Sequence, residues 1–237
     1  MYSVARPKPE LSVVIPAYNE EERIESVLRN YADFYRSYEI IVVCNGCSDT
    51  TPEIVAKRSK KDPRIKSLNF DEKLGKGGAV IEGFKAAKGE LIGFLDADES
   101  VVPEDYLKII DAVKSLGFDG AIGSRGVEGA EIISDRSFAR QAASKIFNML
   151  VRRITGLEFS DTQCGAKVFK RKPLGKVRDA IFSVGYEFDV ELLLRLKRRG
   201  YKIVEVPVKW THSGNSKFSL IYAPAMFFGL LLLRLRK

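Results

Sequence analysis

The chain is poor in the residues that build metal cages and covalent cross-links. Among 237 residues there are three cysteines, one histidine and one tryptophan. A single histidine, His212, excludes any multi-histidine metal site. An odd number of cysteines fits a reducing compartment rather than a disulfide framework. Cys44 and Cys47 form an isolated C-x-x-C with no second ligand pair after it, so neither zinc nor redox chemistry is expected. The start of the chain, with Arg6, Pro7, Lys8 and Pro9, lacks the apolar core of a signal peptide, and a cytoplasmic location is expected. Two glycine fingerprints are missing as well. Pro16-Ala17-Tyr18-Asn19-Glu20 stands where a dinucleotide site needs G-x-G-x-x-G, and Leu74-Gly75-Lys76-Gly77-Gly78 lacks the spacing of a P-loop. Dehydrogenase and P-loop kinase readings lose ground accordingly.

Acidic residues are absent from 209–237, where Lys209, Lys217, Arg234, Arg236 and Lys237 flank an apolar run at 220–233. That run has 14 residues, too few for a helix that needs roughly 20 to cross a bilayer. An apolar stretch with basic flanks suits a segment lying in the membrane interface. A helix packed on the domain, or the stub of a longer membrane region, would have the same composition. A basic amphipathic pattern over 134–154, with Arg136, Arg140, Lys145, Arg152 and Arg153 among apolar residues, favours the membrane surface too. The whole chain carries 39 Lys plus Arg against 31 Asp plus Glu, a net charge of +8, which favours acidic partners.

From 11 to 123 the pattern alternates. Continuous apolar runs at 11–15 and 39–43, then strands at 65–70, 91–95 and 120–123, are separated by helical periodicity at 20–35, 52–60, 78–87 and 104–116. Strands alternating with helices predict an α/β fold, a mostly parallel sheet covered on both faces. Ligands in such sheets bind beyond the carboxyl ends of the strands, at the switch point. The strand at 91–95 runs straight into Asp96-Ala97-Asp98. Carboxylates at the end of a buried strand are costly unless paired or coordinated, so the pair points to a hard divalent cation shared with substrate phosphate. Capping of the helix near Pro103 would use the same carboxylates. Beyond 130 the alternation stops, leaving the polar patch Asp161-Thr162-Gln163-Cys164-Gly165, a strand at 167–170 and a helix at 187–199. Asp189 and Glu191 there suit either the helix dipole or a site.

Together these segments resemble the inverting GT-A glycosyltransferases of family 2 that make polyprenyl-phosphate sugars, the dolichyl-phosphate mannose and glucose synthases. The resemblance rests on Val14-Ile15-Pro16-Ala17-Tyr18-Asn19-Glu20-Glu21, Lys76-Gly77-Gly78-Ala79-Val80, Asp96-Ala97-Asp98, Gly123-Ser124-Arg125, Asp161-Thr162-Gln163-Cys164-Gly165, Phe188-Asp189-Val190-Glu191, Glu205-Val206-Pro207-Val208 and Ser216-Lys217. It leans to the glucose branch. It runs from about Leu11 to Lys217 and implies a GT-A catalytic domain over 1–217, while the composition of the tail marks 218–237 as a membrane-interface segment.

Residue by residue, the resemblance implies that Pro16, Tyr18, Glu20, Asn45, Asp49 and Lys76 hold the nucleotide. Asp96 would contact ribose or sugar, and Asp98, with Asp96, would ligate Mg²⁺ or Mn²⁺. Arg125, Arg140 and Ser144 would receive the acceptor phosphate, with His212 and Lys217 closing over it. Asp161, Gln163 and Asp189 would line the sugar pocket. The expected partners are a nucleotide-diphosphate sugar, dolichyl or polyprenyl phosphate and the cytoplasmic face of a membrane, not nucleic acid. Two departures stand out: Cys44-Asn45-Gly46-Cys47 replaces the common Asp-Asp-Gly-Ser, leaving UDP against GDP open, and Glu99 and Ser100 occupy the places after Asp-x-Asp. A GT-A enzyme with a soluble acceptor, a sugar-nucleotide pyrophosphorylase and a non-catalytic membrane-surface binding module are the competing classes.

Overall fold

A computed structural model of the chain describes residues 8–32, 34–133, 138–211 and 223–235. Its long strands are β1 (Leu11–Ala17), β2 (Tyr38–Asn45), β3 (Ile65–Phe70), β4 (Leu91–Leu95), β5 (Gly120–Ser124), β7 (Ala166–Lys170) and β8 (Ile203–Pro207). They form one sheet of seven strands in the order β3-β2-β1-β4-β7-β5-β8. All neighbours are parallel except β7, which runs antiparallel to both β4 and β5. A short parallel ladder joins β6 (Glu131–Ile132) to β9 (Lys209–Trp210).

Helices α1 (Ile24–Asn30), α2 (Thr51–Lys61) and α4 (Pro103–Lys114) cover one face of the sheet. Helices α3 (Gly75–Ala86), α6 (Arg171–Val177), α7 (Phe188–Arg198) and α8 (Ala223–Leu235) cover the other, with α5 (Phe138–Thr155) packed on α8. Alternate residues of each strand serve the two cores. Leu11, Val13 and Ile15 face α1 and α4, while Val14, Ile41 and Phe94 face α3 and α7. Burial on both faces is why the strands read as unbroken apolar runs. Each fully buried Leu, Ile or Phe contributes about 1.5–3 kcal/mol from area removed from water.

Two expectations need correction. The helix expected over 20–35 is reduced to α1, because Glu20 to Arg23 form a turn in which the Glu20 carbonyl accepts from Arg23 and Ile24 N–H at 2.9 and 2.8 Å. Gly77 and Gly78, read as a loop before a helix, lie inside α3, which starts at Gly75. The Gly77 N–H donates to the Val184 carbonyl at 2.9 Å, so that amide is taken by protein. The mostly parallel sheet is as expected, with β7 antiparallel inside it, while α6, β6, β8 and β9 were not foreseen. Long-range pairing decides these, and no local pattern carries it.

Candidate active site

Strands β1 and β4 are neighbours, and from them the chain winds outward in both directions, to β2 and β3 on one side and to β7, β5 and β8 on the other. This is the switch point of the sheet, where a crevice opens beyond the strand ends. Because β7 runs backwards, its start lies beside the end of β4, with Leu95 opposite Ala166. The antiparallel strand thereby delivers the 161–165 loop to Asp96 and Asp98. The Asp96 N–H donates to the Gly165 carbonyl at 2.9 Å, and a Cβ at Gly165 would stand 2.1 Å from Asp96 Oδ2. Only glycine lets the aspartate approach this closely.

Asp96 meets Lys76, whose Nζ lies 3.0 Å from Oδ1 and 3.1 Å from Oδ2. The same ammonium lies 3.4 Å from Asp189 Oδ2, in the first turn of α7. Lys167 Nζ takes the other oxygen of Asp189 at 2.6 Å. Burial works against the charge of Lys76, but Asp189 and Asp96 outweigh it and raise its pKa above the ordinary ammonium value. Burial, reinforced by the charges of Asp98 and Asp189, raises the Asp96 carboxyl against the pull of Lys76.

A second ion pair stands at the end of β5. Arg125 Nε and Nη2 donate to Asp161 Oδ2 and Oδ1 at 2.5 and 2.8 Å, and the Arg125 backbone N–H adds a third bond at 3.1 Å. Burial disfavours the Asp161 anion, yet the guanidinium holds its carboxyl below the usual carboxylate range. Arg125 also lies 5.4 Å from the ring centroid of Trp210 on β9. Glu205 on β8 fixes the loop from below, accepting the N–H groups of Ser160 and Asp161 at 2.8 and 3.0 Å.

Beyond the end of β1, Tyr18 and Pro16 are half-buried, and Lys73 Nζ sits 3.9 Å from the Tyr18 ring centroid. Glu20 is buried and pairs with Arg23, whose Nε donates at 2.9 Å. Asn45 Nδ2 donates to the Ala17 carbonyl at 2.9 Å, tying the departing Cys44-Asn45 segment to β1. Asp49 accepts the N–H groups of Thr51 and Glu21 at 3.0 and 3.1 Å, so it joins the loops after β1 and β2. Despite partial burial, the Thr51 hydroxyl and these amides keep its carboxyl below the ordinary value.

Residues 12–178 match the family model described as Glycosyl transferase family 2. The chain belongs to that family. The dolichyl-phosphate beta-glucosyltransferase of Drosophila melanogaster is 37% identical over 229 residues, covering 90% of this chain and 70% of the fly protein. Its human counterpart of the same name is 31% identical over 227 residues, with 89% and 70% covered. Glycosyltransferase AglD of Haloferax volcanii is 34% identical over 218 residues, 90% of this chain, which spans only 35% of that protein. Glucosyl-3-phosphoglycerate synthase of Mycobacterium tuberculosis, solved with Mn²⁺, UDP and phosphoglyceric acid, superposes with a TM-score of 0.70 at 21% identity. The match covers 95% of this chain and 78% of that one. The architecture is thus the GT-A fold that the sequence predicts.

In this family 2 chain, Asp98 differs from Asp96 in having, among the described residues, no ion pair with a cationic side chain. Its Oδ1 accepts from the backbone N–H and hydroxyl of Ser100 at 3.0 and 2.5 Å, so both bonds fall on one oxygen. A cleft of about 450 Å³, lined in part by Asp98, Glu99, Arg23, Asn30 and Thr211, opens beside it. Among the described residues no three His, Cys, Asp or Glu side chains converge as a metal cage. An open carboxylate without a full protein cage is the donor set of a cation that completes its shell on substrate phosphate. Glu99 instead accepts from Asn30 Nδ2 at 2.8 Å, and Ser100 is spent on Asp98, so the two places after Asp-x-Asp have protein partners.

Gln163 Nε2 donates to the Tyr186 carbonyl at 3.3 Å, at the mouth of the Asp189 cluster. Glu191 is fully buried and accepts the N–H groups of Phe182 and Ser183, at 3.2 and 2.8 Å on Oε2, and Arg195 Nε at 2.6 Å. That gives it a framework role, whereas Asp189, which shares the first helical turn with it, faces Lys76 and Lys167. Ser144 and Arg140 lie on α5, the Arg140 side chain outside the described residues, as are His212 and Lys217 entirely. Sequence reasoning missed Lys167, Glu205 and Trp210. The one signal for Lys167 was a lysine set between Ala166 and the apolar pair Val168 and Phe169 in a strand.

Proposed function

We propose that this chain is an inverting hexosyltransferase that passes a sugar, glucose in the first instance, from a nucleoside diphosphate to dolichyl or another polyprenyl phosphate. The observation carrying this reading is the pair of charged clusters at the carboxyl ends of β4 and β5, Lys76 with Asp96 and Asp189, and Arg125 with Asp161. It is supported by the name shared by the fly and human relatives.

A lipid monophosphate is already an anion at neutral pH and needs no strong base. Positioning and stabilisation of the leaving diphosphate then supply most of the rate. Asp161, held ionised by Arg125, orients sugar hydroxyls and does not take a proton. Arg125 has five N–H donors, more than Asp161 engages, and those remaining meet the acceptor phosphate together with Ser144 and Arg140. Lys76 is placed to bond a diphosphate oxygen. Pro16, Tyr18, Glu20, Asn45 and Asp49 shape the nucleotide pocket, with Asp49 acting through the loops it joins. Mg²⁺ or Mn²⁺ held by Asp98, with Asp96, would neutralise the charge of the departing nucleoside diphosphate.

Catalysis occupies 1–217, and the 218–237 segment meets the cytoplasmic face of the membrane in this reading. Among the described residues no helix is long and apolar enough to cross one. The test is transfer of radiolabelled sugar from UDP- and GDP-sugars to dolichyl phosphate in detergent, with Mg²⁺, Mn²⁺ or EDTA. A metal-dependent product extractable into organic solvent is expected. Label that moves only to water-soluble acceptors would overturn the lipid acceptor and leave the glycosyltransferase.

A further inference from the structure

Lys167 is the second residue of β7, and its side chain has no solvent exposure. A buried ammonium is costly unless its charge is matched and its protons have acceptors. Here Nζ donates to Asp189 Oδ1 at 2.6 Å and to the Cys164 carbonyl at 2.5 Å, and it lies 5.1 Å from the ring centroid of Phe94. None of the roles assigned above uses it.

We propose that Lys167 is a positioning residue of the donor site, acting on Lys76 through Asp189. Four charges alternate in sign across the crevice floor: Lys167, Asp189, Lys76 and Asp96, separated by 2.6, 3.4 and 3.0 Å. They come from β7, α7, α3 and the end of β4, so no single element sets their spacing. Asp189 is itself buried, and its two oxygens are divided between the two lysines. Without Lys167, Lys76 would be the one cation among the described residues paired with two carboxylates, and the more deeply buried Asp189 would draw it away from Asp96. With Lys167 in place, Asp189 is already matched, and the closer contact of Lys76 is the one to Asp96. The Cys164 carbonyl is the second acceptor for Nζ and holds the ammonium beneath Asp189. A merely space-filling role would be served by an apolar pair, since replacing a buried ion pair with packed apolar groups is often neutral or stabilising.

This inference rests on the crevice being the donor site. The experiment compares Lys167→Met, Lys167→Arg, Asp189→Asn and the Lys167→Met/Asp189→Asn double variant in the full chain. Each is read by thermal unfolding, by calorimetric titration with UDP, and by kcat and KM for sugar transfer at a temperature where that variant is folded. The expected result is a loss of at least about tenfold in kcat for Lys167→Met, the scale of effect that misplaced groups produce. Lys167→Arg should recover most of it, and the double variant should match Asp189→Asn within about twofold, since Lys167 acts only through Asp189. A folded Lys167→Met with wild-type kcat and UDP affinity would show a structural counterion and overturn the proposal. So would a double variant much slower than Asp189→Asn, which decides alone if Lys167→Met does not fold. A wild-type chain that binds UDP but transfers nothing would sink the acceptor reading and leave the UDP titrations to judge Lys167. One that binds no UDP overturns both.

Discussion

Asp161 and Arg125 show how a buried pair sets the charge state of a site. Replacing Asp161 with Asn leaves a guanidinium buried against an amide, which costs about 3 kcal/mol when one partner of a buried pair is removed. The carboxyl is held below its unfolded value, so its contribution is complete above the unfolded carboxylate range and is lost as pH falls through the folded pKa. Thermal melts of wild type and Asp161→Asn should therefore differ by a constant amount above roughly pH 5, begin to approach each other only below roughly pH 4, given an unfolded Asp near 3.9, and converge once pH has fallen through the lower folded pKa. A gap that persists in acid would mean the anion is not what stabilises the fold. Gly165 makes a second prediction at this scale. In Gly165→Ala the new methyl would collide with Asp96 Oδ2, a 2.1 Å approach, so the carboxylate must leave the position in which it pairs with Lys76. Turnover should fall by at least about tenfold, while stability falls by about 1–3 kcal/mol, the usual range for a steric change. Unfolding with no selective effect on donor binding would place the clash in the framework instead.

Among the elements, α8 divides its side chains between two environments. Leu230 and Leu233 are buried in the core cluster shared with α5 and α7, while Phe227, Phe228 and Leu232 are exposed. On α5, Ile146 and Met149 are exposed as well, beside the exposed Arg152 and Arg153. The packed-helix alternative raised by the composition thus holds for one side of α8, and the other side is left for the membrane role proposed here. Moving a phenylalanine out of water contributes about 1.5–3 kcal/mol, so Phe227→Ser/Phe228→Ser should weaken vesicle binding by at least about tenfold and leave UDP titrations unchanged. Unaltered sedimentation with vesicles would remove α8 from the membrane contact. The helices also show where legibility ended. α2 and α4 were readable because a proline at their first turn and an apolar stripe sit together in sequence. The start of α3 was not, because its first turn is closed by Val184, more than a hundred residues away.

Across the whole molecule, the alternation of strand and helix made the sheet and the Asp96-Asp98 strand end legible, since both follow from local pattern and the switch-point rule. Lys167, Glu205 and the backward course of β7 stayed hidden, because their meaning lies in which strands pair. The net charge of +8 is also a property of the whole chain, legible from composition alone, and it makes a prediction distinct from that of α8. Basic side chains near an anionic surface contribute about 1 kcal/mol each and act only within a Debye length, about 10 Å at 0.1 M salt and 3 Å at 1 M. Apolar insertion is not screened in this way. Binding to vesicles containing phosphatidylserine should therefore exceed binding to neutral vesicles at low salt and converge on it as salt rises. The remainder at high salt should be the part that Phe227→Ser/Phe228→Ser removes. Equal, salt-independent binding to both vesicles would mean that the positive charge does not hold the protein to a membrane surface and is left to the anionic substrates proposed above.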